Sequence, residues 1–368
     1  MIKVHLIIGA RPNIMKIGPL FKELQKHPNK YQAKIIHTGQ HYDERMSELF
    51  FKELSVSEPD FSLNVGSASH GEQTARIMEK YEEVVLTDKP DLVVVAGDVN
   101  STMACTLVAV KLSTPVAHLE AGLRSNDRSM PEEINRIITD SVCDLLLTPS
   151  EDADVNLINE GVDKSKIKLI GNIMIDSLIH NLSDAMHSTI LNDIKLEPQS
   201  YCLVTMHRPS NVDNKVSMDL FIKTIKGLTE KLPVVIPLHP RTEKNLAKFG
   251  YNEEFYAIHD LTVLPPVGYH DMLKLEMNAK LIVTDSGGLQ EESTYMGIPC
   301  LTVRENTERP ITITEGTNKL TKLNPELIFT ETDLILSGKH KEGNIPDLWD
   351  GNTAQRVVAV FDEYFLNQ

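Results

Sequence analysis

Polar side chains that can do chemistry recur directly after apolar, strand-like runs of this sequence. Asp98 and Glu120 stand at such positions in the first half of the chain, and His207 and Ser286 do so in the second half. Carboxylates and histidine can move protons in a reaction. Because ligands bind beyond the carboxyl ends of strands in open parallel sheets, these positions predict polar binding chemistry at the sheet edges.

The string TDSGGLQEE at residues 284–292 predicts a phosphate site. The apolar, strand-like run at residues 281–284 leads into Ser286-Gly287-Gly288, where a helical pattern begins. Glycines let backbone approach a ligand closely, and the first N–H groups of a helix attract anions. Glu292, about one turn into the helix, could accept hydrogen bonds from ribose hydroxyls. The alternative is an ordinary glycine turn followed by an acidic helical turn.

The string GARPN at residues 9–13 forms the corresponding turn in the first half. It differs from G-x-G-x-x-G, so neither a nicotinamide nor a flavin dinucleotide is indicated. Arg11 follows the strand and Lys16 lies about one turn into the helix, where both could neutralise phosphate. Two solvated cations on a proline-started helix are the alternative.

Three carboxylates are candidates for acid–base chemistry. Asp98 could equally be a helix N-cap, whereas Glu120 closes an apolar strand and is harder to explain as a cap. Pro131-Glu132-Glu133 could be a helix start whose acids complement the helix dipole. In the functional interpretation one of these two acids turns into the site as a third carboxylate.

Histidines and cysteines give no metal signal. His207 and His239 each follow a strand-like run, but no H-E-x-x-H or similar ligand spacing occurs. The four cysteines are far apart and form no C-x-x-C pair. We interpret them as reduced, mostly buried thiols of an intracellular protein.

The elements that must position these residues alternate between strand and helix. Strand-like runs lie at residues 4–8, 34–36, 92–96, 116–119, 145–147, 167–170, 202–205, 234–237, 261–264, 281–284 and 300–303. Helical patterns separate them, which is typical of βαβ units in a parallel sheet. We therefore expect two Rossmann-like, doubly wound α/β domains facing across a polar cleft.

The two domains are assigned to residues 1–176, carrying the catalytic carboxylates, and 177–351. A last helix at 352–368 could pack back on the first domain, and residues 181–200 show few regular signals. A chain of 368 residues is long enough for two cores.

Composition restricts the class of function. The formal net charge of −15 argues against a nucleic-acid partner, which usually requires a basic patch. No apolar run approaches a membrane span, and the run at residues 4–8 is too short for a signal-peptide core. A cytoplasmic enzyme without membrane contact is the expectation.

Taken together, the motifs resemble the non-hydrolysing UDP-N-acetylglucosamine 2-epimerase family. The matching strings are GARPNIMK at 9–16, TGQH at 38–41, AGD at 96–98, HLEAGLR at 118–124, PEEINR at 131–136, GN at 171–172, HR at 207–208, HP at 239–240, TDSGGLQEE at 284–292 and TERP at 307–310. They follow the family order over nearly the whole chain. The resemblance implies a glycosyltransferase-B architecture, a homodimer, a UDP-sugar substrate and no cofactor.

The residue patterns and the resemblance together assign roles. Catalytic roles go to Asp98, Glu120, Glu132 and His207; substrate binding goes to Arg11, Lys16, His239, Ser286, Gly287, Gly288, Glu292 and Arg309; part of a possible regulatory UDP-sugar site goes to Gln40 and His41. The resemblance places His207 at the diphosphate. It implies reversible epimerisation at C2 by elimination and re-addition of UDP through a 2-acetamidoglucal, in service of cell-surface polysaccharide synthesis.

Two strings depart from the family pattern. The common H-R-R-E-N loop is HRPSN at residues 207–211, and the usual G-T-R-P-E start is GARPN at 9–13. Several alternatives therefore stay open. They are a hydrolysing 2-epimerase, a 2-epimerase of a modified UDP-sugar such as a diacetamido uronic acid, a glycosyltransferase of the same architecture, and a catalytically silent UDP-sugar sensor.

Overall fold

A computed structural model describes residues 1–40 and 56–366 of the chain. Its strands form two sheets in which every pairing is parallel. The strands are β1 (Ile2–Ile8), β2 (Tyr31–His37), β3 (Phe61–Ser62), β4 (Leu92–Ala96), β5 (Val116–Leu119), β6 (Leu145–Thr148), β7 (Ile167–Leu169), β8 (Cys202–Thr205), β9 (Val234–Pro237), β10 (Leu261–Leu264), β11 (Leu281–Thr284), β12 (Cys300–Thr302) and β13 (Asn318–Leu320).

Helices connect the strands, as parallel crossovers require. They are α1 (Arg11–Gln25), α2 (His70–Asp88), α3 (Asn100–Lys111), α4 (Pro131–Val142), α5 (Glu151–Asn159), α6 (Ile173–Met186), α7 (Ile190–Asp193), α8 (Pro209–Val212), α9 (Lys215–Thr229), α10 (Pro240–Phe249), α11 (Asn252–Tyr256), α12 (Tyr269–Met277), α13 (Gly287–Met296), α14 (Ile311–Thr314), α15 (Pro325–Leu336) and α16 (Thr353–Leu366). A short 3₁₀ turn spans Lys164–Lys166. The prediction of two parallel α/β sheets is confirmed.

Both sheets have the same winding. The first has the strand order β3-β2-β1-β4-β5-β6-β7, and the second has β10-β9-β8-β11-β12-β13. In each, the chain returns to the middle of the sheet and then winds outward on the other side. The point where the direction reverses lies between β1 and β4 in the first sheet and between β8 and β11 in the second. Such reversal points leave a crevice at the carboxyl ends of the two central strands.

The chain divides into two compact units. The first comprises residues 1–180 and the segment from Asp347 onward, and the second comprises 181–346. The expectation of few regular elements at 181–200 was wrong, because α6 continues to Met186 and α7 follows it. The sequence did not reveal this helix because polar residues interrupt its apolar pattern.

The last helix, α16, belongs to the first unit. It packs against α1, and its buried stripe includes Val357 and Phe361. Asp176 of α6 accepts hydrogen bonds from the N–H groups of Thr353 (3.1 Å) and Ala354 (2.8 Å). Asp176 therefore satisfies N–H groups at the start of α16 that have no acceptor within the helix.

Apolar runs become central strands because both faces of each sheet are covered. All five residues of β4 are buried. Around β8, Cys202 and Val204 belong to one core cluster of the second unit, whereas Tyr201 and Leu203 belong to another. This alternation follows from the two-residue period of a strand, so the second sheet separates two apolar layers. Within the described residues, no helix is both long and apolar enough to cross a membrane.

A close approach of backbone fixes a glycine after β5. Gly122 has a φ of +80°, and a Cβ at this position would lie 2.5 Å from the carbonyl oxygen of Ala153 in α5. Gly161 has a similar φ of +86° but nothing within 4 Å of its Cβ position. The two glycines thus separate the cost of the backbone conformation from the cost of the clash.

We expect Gly122→Ala to lower the free energy of unfolding by about 1–3 kcal/mol more than Gly161→Ala does, because only the first substitution overpacks a backbone contact. Urea unfolding followed by circular dichroism measures both variants. Equal losses in the two variants would show that the contact with Ala153 relaxes freely.

Candidate active site

Asp98 lies at the reversal point of the first sheet, two residues after β4. Its carboxylate forms an ion pair with Arg136 of α4, and its carbonyl oxygen accepts a hydrogen bond from the Asn135 side chain at 2.8 Å. The side chain is 30% exposed, so a ligand can reach it. Helix α4 therefore fixes both the position and the charge balance of this carboxylate.

Glu120 directly follows β5 and has a φ of +73°, which is rare for a residue with a side chain. Its buried carboxylate forms an ion pair with Lys16 of α1. The pair lies against Gly97, since a Cβ there would be 2.7 Å from Lys16 Nζ. The structure thus brings Lys16, Glu120 and the turn before Asp98 together. Lys16, expected at a phosphate, contacts a carboxylate here.

The two acids that begin α4 have different surroundings. Glu133 is buried and accepts hydrogen bonds from the N–H groups of Ser125 (3.0 Å) and Asn126 (2.8 Å), while Arg136 Nη1 lies 2.6 Å from it. Burial acts to raise the pKa of Glu133, but these hydrogen bonds and Arg136 lower it below its usual range. Glu132 is half-buried and forms no ion pair among the described residues. Of the two acids, Glu132 is therefore the one available to a ligand.

A buried histidine supports the turn that carries Asp98. His118 Nε2 lies 2.8 Å from the carbonyl oxygen of Gly97, and its Nδ1 lies 2.6 Å from Asp140. Arg124 Nη1 lies 2.7 Å from the other oxygen of Asp140. Burial opposes ionisation of Asp140, but His118 and Arg124 lower its pKa below the usual range. The network therefore links the turn after β4 to β5 and α4.

The predicted regulatory residues are only partly described. Gln40 is buried, and its side-chain oxygen accepts hydrogen bonds from the N–H (3.1 Å) and hydroxyl (2.8 Å) of Ser101. Its amide therefore joins the end of β2 to α3. His41 lies outside the described residues, as does the side chain of Arg11.

Asp285 organises the reversal point of the second sheet. It is fully buried and accepts hydrogen bonds from the N–H groups of His207 (3.0 Å) and Arg208 (2.9 Å) and from the Asn211 amide (2.9 Å). The His207 ring nitrogen Nδ1 lies 3.0 Å from the same carboxylate. Burial acts to raise the pKa of Asp285, but these donors hold it below its usual range. The loop after β8 is therefore fixed to the end of β11.

The predicted histidines of the second unit lie together. The rings of His207 and His239 stack with centroids 5.0 Å apart. His239 caps α10, where its Nδ1 accepts a hydrogen bond from the Arg241 N–H at 3.1 Å. An Nδ1 that accepts this bond leaves the proton of the neutral ring on Nε2. The His207 side chain is 39% exposed, which suits contact with a ligand.

The Ser286-Gly287-Gly288 turn begins α13, and an arginine lies beside it. A Cβ on Gly287 would be 2.8 Å from Arg309 Nη1, so a larger residue there would displace the end of the arginine side chain. Arg309 is held by Glu291 (2.9 Å) and Glu308 (2.6 Å). A guanidinium at the N-terminus of a helix gives two independent attractions for an anion.

Arg208 is a further guanidinium near this turn. Its Nε donates to the carbonyl oxygen of Asp285 at 3.0 Å. Burial and the neighbouring charges of Arg304 and Arg309 lower the pKa of Arg208, although Glu308 and Asp285 oppose the shift. The three guanidiniums lie among the carboxylates of Asp285, Glu291 and Glu308, which balance their charge.

Glu292 lies deeper than its neighbours on α13. It is 3% exposed, and its Oε1 accepts a hydrogen bond from the hydroxyl of Tyr269 at 2.9 Å. The fully buried carboxyl of Glu276, on α12, interacts electrostatically with that of Glu292. Burial and nearby Glu291 raise the pKa of Glu292 to about 7, although Tyr269 and Glu276 oppose the shift. Burial and Glu292 hold the pKa of Glu276 well above its usual range.

Several residues of this arrangement escaped sequence reasoning as site residues. They are His118, Arg136, Asp140, Arg208, Tyr269, Glu276, Asp285 and Glu291. Asp285 and Arg208 carried a signal, since both follow strands. Tyr269 and Glu276 are seven residues apart on one helix, a spacing that also fits an ordinary buried face. No group of three or more His, Cys, Asp or Glu side chains able to hold a metal ion occurs within 1–40 and 56–366.

Two parallel sheets with alternating helices define an α/β protein of the glycosyltransferase-B type, and comparison with known proteins identifies the family. The family model described as UDP-N-acetylglucosamine 2-epimerase matches residues 22–362. The chain belongs to the UDP-N-acetylglucosamine 2-epimerase family.

Two relatives illustrate the range of the family. The UDP-N-acetylglucosamine 2-epimerase of Methanocaldococcus jannaschii is 40% identical over 97% of this chain and 98% of its own length. The UDP-2,3-diacetamido-2,3-dideoxy-D-glucuronate 2-epimerase of Pseudomonas aeruginosa is also 40% identical, over 98% of this chain and 99% of its own.

A solved structure extends the likeness to three dimensions. The crystal structure of the M. jannaschii UDP-GlcNAc 2-epimerase in complex with UDP-GlcNAc and UDP matches 98% of this chain and 100% of its own with a TM-score of 0.90. The resemblance drawn from the sequence motifs is therefore confirmed at the level of family and fold. It identifies this chain as a member of an epimerase family that acts on nucleotide-sugars.

The raised pKa values of Glu276 and Glu292 predict how stability changes with pH. In the unfolded chain both carboxyls ionise near their ordinary value of 4.5, whereas burial raises both pKa values in the folded chain, so that the pair holds protons to higher pH there. The folded state then binds more protons, so stability falls as pH rises from about 5 through about 7. We expect wild type to lose about 1 kcal/mol more per pH unit than Glu276→Gln, which cannot ionise.

Urea unfolding at pH 5, 6, 7 and 8 measures this difference. Glu253→Gln, which changes an exposed glutamate of α11, serves as the matched control and should follow wild type. Parallel pH profiles for wild type and Glu276→Gln would contradict retention of the Glu276 proton.

Proposed function

We propose that this protein reversibly epimerises C2 of UDP-N-acetylglucosamine to give UDP-N-acetylmannosamine, without net hydrolysis. The observation that carries the proposal is that this chain, a member of the epimerase family, contains two separate sets of residues. Carboxylates with cationic partners lie at the strand ends of the first sheet, and a glycine-rich helix start with an adjacent arginine lies at the strand ends of the second. The first set suits proton transfer and the second suits a diphosphate.

The reaction requires both sets because the C2 hydrogen is not adjacent to a carbonyl group. Direct removal of that proton would be prohibitively costly. Expulsion of UDP from C1 first creates a ring with oxocarbenium character, whose C2 proton a carboxylate can remove. The product is a 2-acetamidoglucal. Protonation from the other face and return of UDP to C1 complete the inversion.

In the second unit, the start of α13 is proposed to bind the leaving UDP. Ser286, Gly287 and Gly288 would offer backbone N–H groups to the diphosphate, and Arg309 would add its charge. His207 and His239 would contact the diphosphate region, and Glu292 the ribose hydroxyls. Charge stabilisation of departing UDP lowers the barrier to cleavage of the C1–O bond. Retention of UDP there would also favour its return over hydrolysis.

In the first unit, Asp98, Glu120 and Glu132 are proposed as the catalytic carboxylates. Arg136 balances the charge of Asp98, and Lys16 balances that of Glu120. This balance lets several carboxylates lie near one another and near an anionic substrate. Glu132 has no such partner in the described part of the chain. Its position and protonation would therefore depend most on the bound substrate. We also propose that Arg11 contributes to binding of UDP.

The decisive experiment is proton NMR of the purified protein with UDP-N-acetylglucosamine in D₂O. Appearance of UDP-N-acetylmannosamine with deuterium at C2, without accumulation of UDP, supports the proposal. Accumulation of free N-acetylmannosamine and UDP would instead identify a hydrolysing epimerase. No exchange at C2, while UDP still binds, would exclude UDP-N-acetylglucosamine as the substrate and leave another UDP-sugar, a sensor role or a glycosyltransferase.

A second candidate substrate is a UDP-linked 2,3-diacetamido uronic acid. The observation that favours it is the 40% identity to the P. aeruginosa epimerase of that sugar, equal to the identity with the M. jannaschii enzyme. The same carboxylates would serve, because the chemistry at C1 and C2 is unchanged. A competition assay with both sugars in D₂O distinguishes the candidates through the ratio of their kcat/KM values.

Loss of one proposed carboxylate should stop the chemistry without preventing binding. We expect Asp98→Asn and Glu120→Gln to reduce kcat by roughly 10²–10⁴-fold, which is the usual contribution of an acid–base group. The affinity for UDP should stay within about 3-fold of wild type, a free-energy change below that of one hydrogen bond to a charged group. Deuterium exchange at C2 and calorimetry with UDP measure the two effects.

Glu79→Gln is the matched control for these variants. It makes the same chemical change on an exposed position of α2 and should leave both measurements unchanged. Wild-type turnover in Asp98→Asn or Glu120→Gln would remove that residue from the proposed catalytic set.

Four further features are proposed, of which the homodimer, the polysaccharide pathway and the regulatory site come from the family resemblance. The enzyme would work in the cytoplasm as a homodimer, and its product would supply synthesis of a cell-surface polysaccharide. Gln40 and His41 would form part of a regulatory UDP-sugar site. Light scattering of the protein as it elutes from a size-exclusion column tests the dimer. Activation of UDP-N-acetylmannosamine turnover by added UDP-N-acetylglucosamine tests the regulatory site.

A further inference from the structure

Glu276 is a buried acid that the proposed reaction does not use. It is 0% exposed, and neither of its carboxyl oxygens meets an N–H or O–H donor among the described residues. It lies on α12, two helical turns after Tyr269, so both side chains occupy the same helix face. Tyr269 donates to Glu292 Oε1 at 2.9 Å, and the buried carboxyl of Glu276 interacts electrostatically with the same group. Helix α12 therefore directs two groups at Glu292.

Among the residues that the structure describes, no cation interacts with this acid pair. The titratable groups that interact with the two acids are Tyr269 of α12, Glu291 of α13, Tyr201 just before β8 and Cys300 of β12. None of these four side chains can carry a positive charge, and Glu291 is already paired with Arg309. Two buried carboxylates side by side cannot both ionise in such an environment.

Contact between two carboxyl groups is attractive only when one of them carries a proton. Glu292 already accepts a hydrogen bond from Tyr269, which favours the charged form of Glu292. Glu276 has no donor other than its own proton, so it is the acid that retains it. The hydrogen bond then runs from the Glu276 hydroxyl to a Glu292 oxygen.

We propose that Glu276 is a positioning residue of the nucleotide site, where its carboxyl proton, donated to Glu292, fixes Glu292 as the acceptor of the ribose hydroxyls. A carboxylate has about four acceptor positions, of which Tyr269 and Glu276 would occupy two. The remaining positions suit the adjacent 2′- and 3′-hydroxyls of a ribose. The inference rests on the proposed function, since it requires that a uridine nucleotide binds at α13.

The test compares three proteins and two ligands by calorimetry. The proteins are wild type, Glu276→Gln, which keeps a donor toward Glu292, and Glu276→Met, which removes the donor at similar volume. The ligands are UDP and 2′,3′-dideoxy-UDP, which lacks both ribose hydroxyls. Urea unfolding of each protein accompanies the binding measurements.

We expect Glu276→Met to weaken UDP binding by about 10-fold, the usual effect of losing a hydrogen bond to a charged group. Its stability should not fall, because a buried acid without a cation is replaced by an apolar side chain. Glu276→Gln should recover most of the UDP affinity. All three proteins should bind 2′,3′-dideoxy-UDP with similar, weaker affinity, because the lost interaction is with the hydroxyls.

The possible failures are distinguishable. If wild type binds UDP but Glu276→Met binds it equally well, the positioning role is overturned while the proposed function stands. The same conclusion follows if Glu276→Met weakens both ligands equally, or if Glu276→Gln fails to recover UDP affinity. If wild type does not bind UDP at all, the proposed function fails together with this inference. Should Glu276→Met not fold, Glu276→Leu, which also removes the donor at similar volume, takes its place in the same comparison.

Discussion

Parallel pairing of every strand is the constraint on which this protein depends. A parallel strand needs a crossover helix, and crossover helices cover both faces of the sheet, so the strand interiors must be apolar. All five residues of β4 are buried for this reason. Polar chemistry is then confined to the strand ends. Both sheets place their candidate residues there, after β4 and β5 in the first unit and after β8 and β11 in the second.

Charge pairing allows so many polar groups to be held at these ends. Glu120 and Lys16 are both nearly buried, and either charge alone would carry a large desolvation cost. Asp285 shows a second solution, in which backbone N–H groups, an amide and a histidine ring surround one buried carboxylate. Glu276 and Glu292 show a third, in which a retained proton replaces the missing cation. Each solution fixes a side chain more rigidly than solvent exposure would.

Neighbouring acids have different roles in two helices, α4 and α13. At α4, Glu133 is a structural acceptor and Glu132 remains available. On α13, Glu291 holds Arg309 near the helix start and Glu292 contacts Tyr269. Consecutive residues of a helix point about 100° apart, so two identical side chains meet different surroundings. A duplicated acid in such a motif therefore supports both the scaffold and the proposed chemistry.

The sequence by itself determined the fold class and most of the strands. The runs at 92–96, 116–119, 202–205, 234–237, 261–264 and 281–284 became strands with those same limits, because a buried parallel strand is a continuous apolar run. The short strands β3 and β13 escaped detection, since two or three residues give no recognisable period. The motifs also identified the family, which the comparisons confirm.

Only the tertiary structure decided which charges meet. Lys16 and Glu120 are more than a hundred residues apart, and nothing in either motif shows that they form an ion pair. The choice between Glu132 and Glu133, and the burial of Glu276 against Glu292, likewise depend on packing between helices. Local sequence specifies which groups stand at a strand end or on a helix face. Their partners depend on contacts distant in sequence, and these partners determine charge, protonation and exposure.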